Sequence, residues 1–334
     1  MRSTLGPGEA APEVASRERR RLDGRLVVLL VVVALYSRGT LTGSLNPVAL
    51  RTWATVFVAI VTQALPFLVL GVLVSGAITA LVSPAVLARL LPRSAALAVP
   101  SAALAGTALP GCECASVPIA GRLCARGVQP AAAVAFMLAA PAVNPVVLVA
   151  TAAAFPGQPR MVLARFLGSL LTSVAVGLLW WRVGGDAWVE RARLRVAGAD
   201  GPGWPAFSSA ARHDLWDAGG WLVVGAAAAA TLQVLMPRSL LGAVADHPAL
   251  AVLALGGLAV LLAICSEADA FVAASLREFS LTARLVFLVV GPAVDVKLIA
   301  MQAGVFGRRF AARFAPLTFA VAVASAVLVG RVLL

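Results

Sequence analysis

Two stretches of this chain place acids and thiols directly after an apolar run: Pro110-Gly111-Cys112-Glu113-Cys114 and Cys265-Ser266-Glu267-Ala268-Asp269. A carboxylate at membrane depth is costly and normally meets a partner, a cavity or a proton path. Glu113, Glu267 and Asp269 are therefore candidates to bind a solute or carry protons. Cys112 and Cys114 would diverge by about 200° in a regular helix, but in a turn both sulfurs can face one centre. Pro110-Gly111 supplies that turn, and thiolates select soft partners such as Cu(I), Zn(II) or, by the same softness, trivalent arsenic. Cys112 and Cys114 are thus candidate soft-metal ligands. Cys124 reads as a small apolar filler.

Two further positions belong with these. Pro141 ends a half-helix inside an apolar run, Asn144 suits an N-cap, and Pro145 suits the first position of the next half-helix. The result is a discontinuous helix whose free carbonyls and positive N-terminal end face the bundle interior. Asp295 takes the corresponding position later in the chain, and Lys297, the single lysine, follows two residues on. An acid and an amine this close can neutralise each other and separate when a substrate or proton intervenes. No Walker A, no Gly-x-Gly-x-x-Gly after a strand and no His-Glu-x-x-His is present, and His213 and His247 lie by loops, so direct ATP use is not expected.

The elements that must position these residues are transmembrane helices. The 334 residues are 61% hydrophobic and 13% charged, against roughly 45 to 50% and 25% in a soluble domain. The net charge of +12 comes from arginines lying mostly between apolar runs, where they orient helices, so nucleic acid is not an expected partner. Residues 1–24 read as a disordered cytoplasmic tail and 25–52 as an uncleaved first helix, Leu26 to Tyr36, with its linker. Apolar runs follow at Trp53 to Val82, Ala95 to Leu109, Pro130 to Phe155, Met161 to Val183, Leu215 to Met236, Pro248 to Ile264, Leu281 to Val305 and Ala311 to Leu334. Several approach the roughly 20 residues that a spanning helix needs.

Residues 184–213 form a polar loop, and every Trp but Trp53 gathers around it, as an interfacial belt would. The loop separates two similar halves, 53–183 and 214–334. Met236-Pro237-Arg238-Ser239 resembles Leu91-Pro92-Arg93-Ser94, and Pro292-Ala293-Val294-Asp295 resembles Pro141-Ala142-Val143-Asn144, as the two thiol motifs resemble each other. If the two short segments are re-entrant, Arg89, Arg93, Arg122, Arg126, the loop, Arg308, Arg309 and Arg313 all fall on the cytoplasmic side. Each half then crosses an odd number of times, which makes the halves inverted repeats.

Leu109 to Cys114, Val117-Pro118, Gly127, Ala135-Phe136 and Ala139 to Pro145, with Cys265 to Phe271 and Gly291 to Lys297, resemble the predicted permease family that includes the methylarsenite efflux permeases. The resemblance runs from about Trp53 to Leu334 and implies transport. Many arsenic-associated members resemble Cys-Ser-Cys at the first motif, whereas this chain resembles the Cys-Glu-Cys branch. The extra acid shifts the expected cargo toward a cation or supplies a proton.

The sequence thus predicts an all-α polytopic protein of the bacterial cytoplasmic membrane, a first helix plus two inverted repeats with re-entrant or broken helices. It reads as a secondary transporter that effluxes a soft or thiol-reactive solute, such as a metal ion or trivalent organoarsenical, with no cofactor and no enzymatic step. Its expected partners are the bilayer and a small solute or ion, and a homo-oligomer is compatible with the sequence. The substrate site would comprise Cys112, Glu113, Cys114, Asn144, Cys265, Glu267, Asp269, Asp295 and Lys297. A membrane thiol redox or metal-handling enzyme is the alternative, although Cys-x-Cys is not the Cys-x-x-Cys redox spacing.

Overall fold

The computed structural model of the chain describes residues 47–81, 92, 94–107, 113–184, 203–235 and 247–334. The expected tail, the first apolar run at Leu26 to Tyr36, the Pro110 to Cys112 turn and most of the polar loop lie outside the described residues. The chain divides into residues 1–52, of which only the first turns of one helix are described, and residues 53–334. The second unit carries everything below.

All regular structure among the described residues is helical. The first half contains α1 (Pro47–Leu81), α2 (Ala95–Gly106), α3 (Glu113–Ala125), α4 (Pro130–Ala139), α5 (Pro145–Ala154) and α6 (Pro159–Val183). The second contains α7 (Trp204–Leu235), α8 (Pro248–Leu262), α9 (Asp269–Ser275), α10 (Leu281–Ala293), α11 (Val296–Val305) and α12 (Arg308–Leu333). Each half has the same order: a long helix, a short pair around the acid and thiol motif, a short pair around a capped break, and a long helix. The packing repeats as well, since α2 lies on α4 and α6 as α8 lies on α10 and α12.

Proline and the caps explain where the chain breaks. Pro130, Pro145, Pro159 and Pro248 open helices at their first turn, where a missing N–H costs nothing. Asn144 Oδ1 accepts from the Val147 N–H at 3.0 Å and Asp295 Oδ1 from the Leu298 N–H at 2.5 Å, which starts α5 and α11. The run expected at Pro130 to Phe155 is thus two ten-residue helices.

Among the described residues, five helical stretches are long and apolar enough to cross a membrane: Val48–Ile78, Pro159–Val183, Phe207–Val234, Leu281–Val305 across its break, and Arg308–Leu333. The chain is an all-α polytopic membrane protein.

One helix starts earlier than its hydropathy suggests. α7 begins at Trp204 rather than near Leu215, and it carries Asp214, which accepts from Arg122 Nη2 at 2.8 Å and Nε at 3.0 Å and from Ser75 Oγ at 2.6 Å. Arg122, assigned above by its charge to a cytoplasmic face, is buried in this pair. Exposed charge attracts water, but a bidentate guanidinium–carboxylate pair can be carried inside a bundle.

Candidate functional site

The candidate site joins the two acid and thiol motifs to Asp295 and Lys297 at the second half's capped break and to Arg165 and Thr151 of the first half. Glu113 is the first residue of α3, where the helix N-terminus favours a carboxylate, and it is almost fully buried. Its Oε1 accepts from Lys297 Nζ at 2.5 Å and its Oε2 from Ser266 Oγ at 3.2 Å. The acid of the first motif is therefore held by a base and a hydroxyl of the second half. Lys297 is the second residue of α11, two positions after the cap Asp295. Its amine also donates to the Ala263 carbonyl at 3.3 Å and stands 3.6 Å from Asp295 Oδ2. Ala263 ends α8 in the left-handed region, at φ 49°, an orientation that a non-glycine residue holds only when its surroundings enforce it.

A second ion pair joins the halves in the opposite sense. Arg165 on α6 is fully buried; its Nη2 donates to Asp269 Oδ2 at 2.9 Å and to the Ser266 carbonyl at 2.9 Å, while its Nη1 donates to Thr151 Oγ1 at 2.8 Å. Thr151 Oγ1 in turn donates to the Val147 carbonyl at 2.7 Å, so the guanidinium bridges α5, α6 and the second motif. Each motif acid thus meets a base from the other half: Glu113 with Lys297, and Asp269 with Arg165. The helices follow the same exchange, with α11 against α3 and α5 against α9.

Of the residues read from sequence, Glu113, Asp269, Asp295, Lys297, Cys114, Cys265 and Asn144 are buried, and Glu267 is half-buried. Cys114 and Cys265 both lie in the main apolar core. Asn144 spends its amide on the backbone, since its Nδ2 donates to the Ala140 carbonyl at 3.0 Å. Its oxygen and nitrogen thus both serve the break between α4 and α5. The lysine lies nearer to Glu113 than to Asp295, the neighbour to which spacing assigns it. Cys112 lies outside the described residues, so the Cys112 and Cys114 metal pair is not seen, and among the described residues no group of three His, Cys, Asp or Glu side chains is placed to hold a metal ion. Arg165, Thr151 and Ser266 escaped the sequence reading. Arg165 carried the same signal as Lys297, a base inside an apolar run.

Small residues let the backbones close around this cluster. A Cβ on Gly71 would stand 2.5 Å from Ala115 Cα, and one on Gly225 would stand 2.7 Å from Lys297 Cα, with backbone rather than a movable side chain in the way. Gly225→Val is therefore expected to push α7 from α11, destabilise the protein by about 1 to 3 kcal/mol and move the amine off Glu113. A melting temperature equal to wild type in detergent would contradict this packing.

A family model described as a predicted permease, ArsP_1, matches residues 49–331. UPF0718 protein YcgR of Bacillus subtilis is 35% identical over 269 residues, covering 77% of this chain and 89% of that protein. A Streptococcus mutans protein, provisionally named a two-component membrane permease complex subunit, is 31% identical over 266 residues, covering 78% of this chain and 88% of its own length. No solved structure matches at a significant level.

Proposed function

The chain belongs to the ArsP_1 family of predicted permeases, and from that premise we propose that it is a secondary transporter of the bacterial cytoplasmic membrane that exports a soft or thiol-reactive solute through the cluster at the two breaks. The observation that carries this reading is the pair of exchanged ion pairs, Glu113 with Lys297 and Asp269 with Arg165. Buried charges in membrane helices mark substrate and ion paths, and here each pair also ties one half to the other. Two halves of like helix order, read as inverted repeats, can rock against each other about such a fixed site. The acids Glu113, Glu267, Asp269 and Asp295 outnumber the bases Arg165 and Lys297 by two, which favours a cation or protons over an anionic cargo.

Softness comes from the thiols. Cys112 and Cys114 adjoin Glu113 in the chain, and Cys265 adjoins Ser266, whose hydroxyl donates to Glu113 at 3.2 Å. Proteoliposomes carrying wild type or the Cys112→Ser, Cys114→Ser double variant are loaded with Ag(I) or methylarsenite, and the cargo crossing the bilayer is read by elemental mass spectrometry. Wild type is expected to move cargo and the variant to lose most of that movement. Equal transport by the two would remove the thiols from the mechanism.

A further inference from the structure

We propose that Asp295 is a proton-binding site, and that its proton decides whether the Lys297 ammonium ties the two halves together at Glu113 or stays within its own helix at Asp295. The inference rests on the transporter reading and deepens it by naming the proton as the coupling ion.

Two carboxylates compete for one ammonium. Lys297 Nζ donates to Glu113 Oε1 at 2.5 Å and stands 3.6 Å from Asp295 Oδ2. Glu113 is the better served of the two, since it also accepts from Ser266 Oγ at 3.2 Å and lies in the first turn of α3, where the helix N-terminus favours an anion. Asp295 Oδ1 is taken by the Leu298 N–H, and its buried Oδ2 accepts no hydrogen bond among the described residues. When buried acids share one counter-charge, a proton settles on the less stabilised of them. Here that acid is Asp295.

The first half shows that the helix start does not need the charge. Asn144 begins α5 through the same bond, from its neutral amide oxygen to the N–H three residues on, at 3.0 Å. A neutral Asp295 keeps that bond at Oδ1 and carries its proton on Oδ2.

The neighbouring helices add one closer rival. α3 brings Glu113 and Cys114 to α11; α7 brings Asp214, which is paired with Arg122, while Arg212 and His213 of α7 and every charged residue of α12 are exposed. In the second motif Cys265 is buried, Asp269 is held by Arg165, and Glu267 is half-buried. Glu267 is therefore the control.

Lys297 and Asp295 belong to one half, and Glu113 to the other. With the proton on Asp295, the ammonium bonds Glu113 and ties α11 to α3. When the O–H bond breaks and the proton leaves, the restored carboxylate draws the ammonium back to its own helix, and the tie loosens. Gly225 holds the Lys297 backbone against α7, so the exchange falls to the flexible side chain.

The test is infrared difference spectroscopy of the purified full chain in detergent, stepped from neutral to alkaline pH, with melting curves to verify folding. Near neutral pH, where exposed carboxylates are ionised, wild type should show the carbonyl stretch of one protonated acid. That band should shift in heavy water, shift again when aspartate carries heavy carbon in its side-chain carboxyl, and vanish at alkaline pH. Asp295→Asn should lose the band and Glu267→Gln should keep it. Glu113→Gln should lose it too, because the ammonium then settles on Asp295 and keeps it ionised. The folded protein holds a proton that the unfolded chain releases, so wild type should melt lower after the alkaline step and Asp295→Asn should lack that drop. No band in wild type, a band that survives Asp295→Asn, its loss in Glu267→Gln, or an equal melting drop in Asp295→Asn would overturn the proposal. Should Asp295→Asn fail to fold, the wild-type band still decides: one that labelled aspartate does not shift belongs to a glutamate, and one that survives Glu113→Gln does not share the ammonium, and either overturns it. If the band behaves as expected while proteoliposomes couple no proton movement to Ag(I) or methylarsenite, Asp295 remains a proton site and the transporter reading fails.

Discussion

Arg165→Ala is expected to be the most damaging single substitution in the chain. The guanidinium satisfies Asp269, the Ser266 carbonyl and Thr151 at once, and its side chain is fully buried. Removing it leaves the Asp269 carboxylate buried without its counter-charge, which costs about 3 to 5 kcal/mol in comparable pairs. The purified variant should melt well below wild type, and proteoliposomes should show no cargo movement. Arg165→Lys keeps the charge but not the planar fork, so it can serve fewer of the three partners and should recover only part of the stability. Wild-type melting of Arg165→Ala would mean that the pair does not hold the halves together.

The second large effect is expected at Glu113. Glu113→Gln preserves shape and can still accept from Ser266, but it removes the charge nearest to Lys297. Losing one partner of a buried, hydrogen-bonded charge pair costs about 2 to 5 kcal/mol, on the order of thirtyfold or more in affinity for a cation that binds there. The fold should suffer less than this figure implies, because Asp295 stands 3.6 Å from the amine and can take it over. Glu113→Gln should therefore be folded and inactive. Wild-type transport by that variant would place the cargo path elsewhere.

Much of the fold could be read from local chemistry. Pro141, Asn144 and Pro145 foretell a break and a restart, and the structure places the end of α4, the cap and the start of α5 at those residues. Asp295 could be read by analogy with Asn144, and it caps α11. The long-range partners could not be read, because nothing in a sequence marks which buried base lies across a bundle from a given acid. Adjacency suggests Lys297 with Asp295, and that pair forms at 3.6 Å, yet the amine lies closer to Glu113, which comes from the other half. Arg122 shows the same limit. Counting arginines by side of the membrane treats each as a solvent-facing charge, and this one is instead buried against Asp214 of α7. Arg165 was legible in principle, since a base within Met161 to Val183 demands a partner as much as Lys297 does.

The central claim is that the Glu113 and Lys297 pair lies on the transport path and is not only a staple between the halves. A buried ion pair replaced on both sides by neutral groups of similar size is often close to neutral for folding, so the Glu113→Gln, Lys297→Met double variant separates the two roles. Its transport of Ag(I) in proteoliposomes, measured beside its melting temperature, is the most direct test. The double variant is expected to melt close to wild type and to move no cargo. Cargo movement at the wild-type rate by the folded double variant would show that the pair only holds the fold, and would contradict the claim.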